Sequence, residues 1–313
     1  MIFTSFLNSL PGDIAQGLIW GIMAIGVFIT FRVMDVADLT VDGSIATGGA
    51  VCVVLIRAGV NAWLAMLCAF AAGVLAGLIT GLLHTKCGIP AILAGILTQL
   101  ALYSINLRIL GDRANQPVSV DKYYLMVSQR YTRALDLSNP LILLIIMCAV
   151  LIGLLYWFFG TERGCALRAT GANQNMARAQ GINTKTNIVL GLMLSNGLVA
   201  LSGGLLAQYQ GAADVNMGRG AIVIGLAAVI VGEVLFSMIA RNFAAKLATV
   251  ICGAIIYYVV IRIVLIAGLN TNDLKLLTAL VVAVFLSIPY WKSFILRRKG
   301  MSKSKEENHA ATD

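Results

Sequence analysis

Charge is what this chain lacks most. Of its 313 residues only 12% are Asp, Glu, Lys or Arg, against about a quarter in soluble globular domains. Histidine is nearly absent, with only His84 and His309. The cysteines (Cys52, Cys68, Cys87, Cys148, Cys165 and Cys252) form no CxxC pair, and only His84 lies near any of them. They read as small core residues, not as a metal site or a disulfide framework. No GxxxxGK[ST] loop occurs, and no GxGxxG follows a strand pattern. The chain is therefore not expected to hold a nucleoside triphosphate in the usual cradle. HExxH and GxSxG are missing too, so the common hydrolytic and zinc chemistries are not expected, and the chain does not read as an enzyme.

What is present is hydrocarbon: 59% of residues are hydrophobic and the mean hydropathy is +0.88. Windows of about 20 apolar residues predict spans near 13–32, 43–57, 62–83, 89–110, 139–159, 187–209, 220–240, 244–267 and 273–290. The fold class expected is all-α, a polytopic membrane protein with about nine (8–10) transmembrane helices. The membrane domain covers 1–292, and 293–313 is a basic, polar tail. Ile14 to Phe31 has no small-residue cleavage site behind it and is followed by further spans, so it reads as a retained helix, not a signal peptide.

With the N-terminus outside, fourteen of the 23 Lys and Arg fall on inner segments and eight on outer ones, leaving Arg262 within a span. The positive-inside rule then favours a cell-membrane protein with its N-terminus out and C-terminus in. The net charge of +9 and the tail "RRKGMSKSKEE" fit anionic lipid on the cytoplasmic surface, not nucleic acid.

Two connections are long. The outer one, Gly111 to Asn139, carries Tyr123, Tyr124 and Tyr131 and suits an interfacial belt or the docking of an extracellular partner. The inner one runs from Gly160 to Thr186. Within it, Arg163 to Ala179 predicts one short amphipathic helix closed by Gly181. Its polar face carries Asn173, Gln174 and Asn175, which suits a protein groove better than lipid.

"RVMDVADLTVDG" places Asp35, Asp38 and Asp42 within eight residues. On a helix they would share a face about 60 degrees wide, at a cost of about 2.5 to 3.5 kcal/mol for each Asp at a span centre. A continuous helix is therefore disfavoured. An irregular segment is expected instead, ending at Asp42 as N-cap of the next helix, with Asp35 facing water near the inner surface. "VADLTV" (Val36 to Val41) also aligns with "AADVNM" (Ala212 to Met217), which sets Asp38 on Asp214 and Gly49 on Gly225. Five spans separate the copies, so they would form an inverted repeat, a recurring transporter architecture. Asp38 stays open between a structural corner made twice and a contact on a substrate path.

Other polar residues lie inside spans: Gln99, Tyr103, Asn106, Asn196 and Arg262. Hydrogen bonding to a neighbouring helix is the ordinary role of Asn and Gln there. Arg262, surrounded by "YYVVIRIVLIAG", should face a cavity or a partner, or snorkel to the surface. The candidates for a translocation path are Asp38, Thr40, Gln99, Asn106, Asn196 and Arg262.

"GCALRATGANQNMARAQGIN", followed by the small-residue span "LSNGLVALSGGLLAQYQG", resembles the cytoplasmic coupling segment of a known family. These are the permeases of ABC importers of the branched-chain amino acid and ribose type. The likeness is carried by Gly164, Leu167, Arg168, Ala169, Asn173, Ala177, Gly181 and Ile182, and it extends over most of the chain from "LIWGIMAIGVFITF" onward. It implies a membrane subunit that forms a homodimer and carries ATPase subunits on its inner face. Those subunits bind the ATP, and the chain needs no cofactor of its own. Substrate, an amino acid-like or related small solute, would come from an extracytoplasmic binding (lipo)protein and cross by alternating access. The chain departs from the family where "VADLTVDGS" replaces an Asn-Phe-Ala-His-Gly-like segment, and where nine spans stand for ten. "DLTVDGS" with "ILAGILTQLALYSINLRILG" looks like the branch assigned to tryptophan, tyrosine or related molecules. The alternative is an ion-coupled secondary transporter in which Asp35, Asp38 and Asp42 bind H⁺ or Na⁺.

Overall fold

A computed structural model describes residues 2–131, 139–236 and 242–266, together with 276, 279–280, 282–284 and 287. Side chains are described from residue 9 onward. The helices are α1 (Ile2–Phe28), α2 (Val41–Arg57), α3 (Ala62–Thr85), α4 (Ala91–Ile109) and α5 (Pro140–Gly160). They continue with α6 (Glu162–Ala172), α7 (Gln174–Ala179), α8 (Thr184–Gln210), α9 (Ala221–Phe236) and α10 (Phe243–Ile266). One π-helical turn, Ile29–Val33, extends α1. Two short strands, β1 (Asn115–Pro117) and β2 (Ala212–Asp214), pair antiparallel.

Among the described residues, six stretches are long and apolar enough to cross a membrane: Ser9–Val33, Ala62–Thr85, Ala91–Ile109, Pro140–Gly160, Thr184–Gln210 and Phe243–Ile266. This is a helical, multi-pass membrane protein. The expected span near 43–57 is the shorter helix α2, of 17 residues, and the one near 220–240 is described as α9 as far as Phe236. The ninth expected span, 273–290, and the tail 293–313 lie largely or wholly outside the described residues.

The helix boundaries follow from local chemistry. Asn61, Asn139 and Asn183 each cap the helix that follows with their side-chain oxygen, as short polar side chains do at an N-terminus. Pro140 occupies the first turn of α5, where its missing N–H costs nothing. Gly211 ends α8 at φ 73°.

Helices α1, α2 and α8 form the centre, with α3 and α10 packed against them. Ser195, Ser202 and Tyr209 of α8 donate to the carbonyls of Gly26, Ile19 and Gly12 at 2.8, 2.7 and 3.1 Å, so α1 and α8 run antiparallel. Gly73 and Gly77 set α3 against the backbone of α8 at Asn196 and Leu192. Gly17 and Gly21 set α1 against α10 at Ile255 and Ile251. Van der Waals packing, not hydrophobicity, holds helices together in lipid, and small residues permit that approach.

The two copies suggested by the sequence sit in matching places. Asp35 (φ 55°) and Gly211 (φ 73°) are left-handed residues just past the ends of α1 and α8. Asp38 then accepts from the Thr40 N–H at 2.9 Å, and Asp214 from the Asn216 N–H at 2.6 Å. A helix, α2 or α9, follows each turn. α2 starts beside the middle of α8, where Ser44 meets Asn196, and leaves with its end, where Gln208 meets Cys52. α9 starts beside α1 near Met23 and Val27 and reaches Arg32 through Glu233. As the charge argument requires, Met34 to Thr40 is irregular, not helical.

Candidate functional site

The N-termini of α2 and α9 meet inside the protein, and Asp42 joins them. Its carboxylate accepts from the N–H groups of Gly220 and Ile222 at 2.9 and 3.0 Å. This corrects the expected role of Asp42 as cap of its own helix. Thr40 holds that position in α2 and makes no side-chain cap bond. The physical reason lies 180 residues away in "NMGRGA": Gly218, Arg219 and Gly220 offer no side-chain oxygen to cap α9, and the free N–H groups at a helix start favour an anionic acceptor. Gly218 permits the contact, because a Cβ there would strike the Asp42 carbonyl.

Beside this junction is a cavity of about 370 Å³ between the start of α2, the middle of α4 and the segment before α9. Asp42, Gln99, Tyr103, Asn106 and Arg219 supply its polar wall. Asn106 is 1% exposed; its amide donates weakly to the Gly43 carbonyl at 3.5 Å, and its Oδ1 has no partner.

Of the residues singled out by sequence, Gln99 and Asn106 line this cavity, and three others are committed next to it. Asp38, 3% exposed, accepts from Asn196 at 2.6 Å as well as from Thr40. Asn196 accepts from Ser44 at 2.6 Å. Thr40, Thr80 and Thr98 form a buried hydroxyl chain linking α2, α3 and α4. Asp38, Thr40 and Asn196 thus hold the segment entering α2 against α3, α4 and α8.

Arg262 lies elsewhere. Its guanidinium donates to both carboxylate oxygens of Asp13 at 2.6 to 2.9 Å, stapling α10 to α1. It is not among the residues lining the cavity; a buried carboxylate needs a counter-charge, and Asp13 is 3% exposed. Asp35, Asp38 and Asp42 do not converge either. Asp35 is exposed, and the other two carboxylates have separate partners, so no shared acid site exists for the ion-coupled alternative.

Sequence reasoning missed Arg219 because the residue looks like part of an outer loop. It is exposed, and only its position directly before α9, in the copy that matches the start of α2, pointed to the cavity.

At the far end of α5 the chain turns through α6 and α7. These are two helices broken at Asn173, where one continuous helix was expected. Asn173 adopts an extended backbone and accepts from the N–H groups of Asn175 and Met176, both at 3.0 Å, so it caps α7 and ends α6. Gly164 packs on the backbone of Phe158 and Phe159, and Leu167 and Ala177 are fully buried. Arg168 donates to the Phe159 carbonyl at 2.9 Å and lies over the ring of Phe243. Ala169 accepts from the Asn173 N–H, Gly181 turns the chain at φ 77°, and Ile182 bonds back to Ala177. The eight residues of the motif build this elbow. Its exposed surface runs through Ala172 to Met176 and Arg178 to Gly181 and includes Arg168.

Comparison with known proteins agrees in kind. The profile of the family described as "Branched-chain amino acid transport system / permease component" matches residues 13–287. A tyrosine transport system permease protein of Clostridioides difficile is 38% identical over 284 residues, covering 90% of this chain and 91% of that protein. An uncharacterized protein of Rickettsia prowazekii is 34% identical, over 90% of this chain and 98% of its own. The ribose import permease protein RbsC of Escherichia coli is 25% identical over 63% of this chain and 60% of its own.

Proposed function

Because the chain belongs to the branched-chain amino acid transport system permease family, and is a transport component rather than an enzyme, we propose that it is the membrane subunit of an ATP-driven importer of an amino acid-like solute. The observation that carries this reading is the elbow of α6 and α7. It is a rigid, capped projection with an exposed polar and methionine tip, anchored by Arg168 to the ends of α5 and α10. Such a shape suits insertion into a separate ATPase, and the chain has no nucleotide cradle of its own.

In this reading the ATPase binds ATP beneath the elbow, an extracytoplasmic binding protein delivers solute at the opposite end, and two copies of the chain form the transport unit. The elbow end is cytoplasmic, which puts the N-terminus outside and the tail 293–313 inside, against anionic lipid. Residues 1–292 are the permease domain, and 160–186 form its coupling segment. The matched halves, α1 to α3 and α8 to α10, act as an inverted repeat. Their helices α2 and α9 give alternating access at the α2–α9 junction, as broken helices do at membrane midplanes.

Affinity purification of the tagged chain from native membranes tests this. An ATPase carrying GxxxxGK[ST] should co-purify, and Met176→Asp should remove it while the permease stays folded. Uptake that survives ATP depletion but collapses with the ion gradient would refute the proposal.

A further inference from the structure

We propose that the cavity between α2 and α4 is a station for the carboxylate and the amino group of an α-amino acid, with Arg219 receiving the carboxylate and Asn106 the amino group. The proposal rests on the permease reading and adds which residues select the solute. Three observations carry it.

Asn106 is buried and lines a cavity of about 370 Å³, and its Oδ1 has no hydrogen bond within the protein. A buried acceptor left unpaired costs about 1 to 3 kcal/mol, so its persistence marks a place where a donor from outside belongs. Arg219 lines the same cavity and makes no ion pair among the described residues. The other charge on the wall, Asp42, already accepts two N–H bonds from the start of α9, so its charge is largely compensated by that helix end. The wall therefore has one uncommitted cation and one uncommitted acceptor. A carboxylate pairs with guanidinium through two parallel bonds, and an ammonium or amine supplies the donor for Asn106. Gln99 and Tyr103 add polar atoms along the same wall, and the volume admits an amino acid with a ring.

The substitution Leu100→Cys, on the cavity wall, reads the local charge without knowledge of the solute. The full-length chain in membrane vesicles is treated with anionic sulfonatoethyl or cationic trimethylammonioethyl methanethiosulfonate. Peptide-resolved mass spectrometry separates the introduced thiol from the exposed Cys87, Cys165 and Cys252.

Relative to a free thiol, the anionic reagent should be favoured about tenfold by an uncompensated cation nearby. Arg219→Gln should abolish that preference and Arg219→Lys should keep it. A mixture of the common L-amino acids should protect the introduced thiol, and a mixture of the corresponding decarboxylated amines should not. Asn106→Leu should lose the protection while keeping the anion preference.

A preference for the cationic reagent, no effect of Arg219→Gln, no protection by amino acids, or no reaction with either reagent would each overturn the proposal. Failure of the permease reading looks different: no ATPase co-purifies, while charge selection at the introduced thiol is untouched.

Discussion

Asp42 shows how a single side chain can serve an element distant in sequence. Its two oxygens satisfy Gly220 and Ile222 at the start of α9, so Asp42→Ala removes the cap of that helix. The expected loss is about 0.5 to 2 kcal/mol, seen as a lower Tm of the detergent-solubilised chain. Asp42→Asn keeps an acceptor oxygen and should lose less. Asp35 differs in kind. It holds φ 55°, a conformation that costs L-residues about 1 to 2 kcal/mol and that Asp tolerates better than most. Asp35→Gly should therefore leave Tm equal or higher, and Asp35→Val should lower it.

Helix pairs are fixed by two devices, backbone approach and ion pairing. At the crossing of α2 and α8, a Cβ on Gly48 would strike the backbone of Ala200. Gly48→Val should cut folded yield sharply, as judged by the monodisperse fraction in size-exclusion chromatography, because neither backbone can retreat from a packed centre. The staple between α1 and α10 is electrostatic. Arg262→Met leaves Asp13 buried and unpaired, a change worth roughly 3 to 5 kcal/mol for fully buried pairs. The loss should fall at the low end, because the Arg262 side chain is 37% exposed. Adding Asp13→Asn should recover most of the Tm, since the stranded charge and not the missing bond is the main cost.

For the whole molecule, the position of the elbow relative to the membrane core matters most. An aromatic chain of Phe28, Phe243 and Phe159, with Arg168 over Phe243, connects the ends of α1, α10 and α5 to α6. Force applied to the elbow would reach α1 and α10 together. Arg168→Ala should leave the stability within about 2 kcal/mol of wild type, because two hydrogen bonds, to the Phe159 carbonyl and the Cys165 sulfur, and one cation–π contact are lost at an exposed side chain. ATP-dependent uptake should fall much further, as measured beside ATPase co-purification in the same vesicles.

Hydropathy alone determined that the chain is helical and crosses the membrane several times. A hydrocarbon environment leaves helices as the structure in which each segment satisfies its own backbone. Local chemistry was legible as well. The cost of clustered charge predicted the irregular stretch before α2, and the alignment of Asp38 with Asp214 predicted two like corners. What sequence could not decide is which groups meet across the fold. Asp42 reads as the cap of its own helix because capping is ordinarily local, yet it serves α9, whose start has no capping side chain. Arg262 reads as lining a path, but its guanidinium is drawn to Asp13. The coupling motif marked residues that shape the elbow, and the polar run Asn173 to Asn175 marked its exposed tip, but the break into two helices at Asn173 was not legible. Arg219 enters the cavity only because Gly218 lets the backbone press against α2. Such pairings depend on distances between helices far apart in the chain, which only close packing sets.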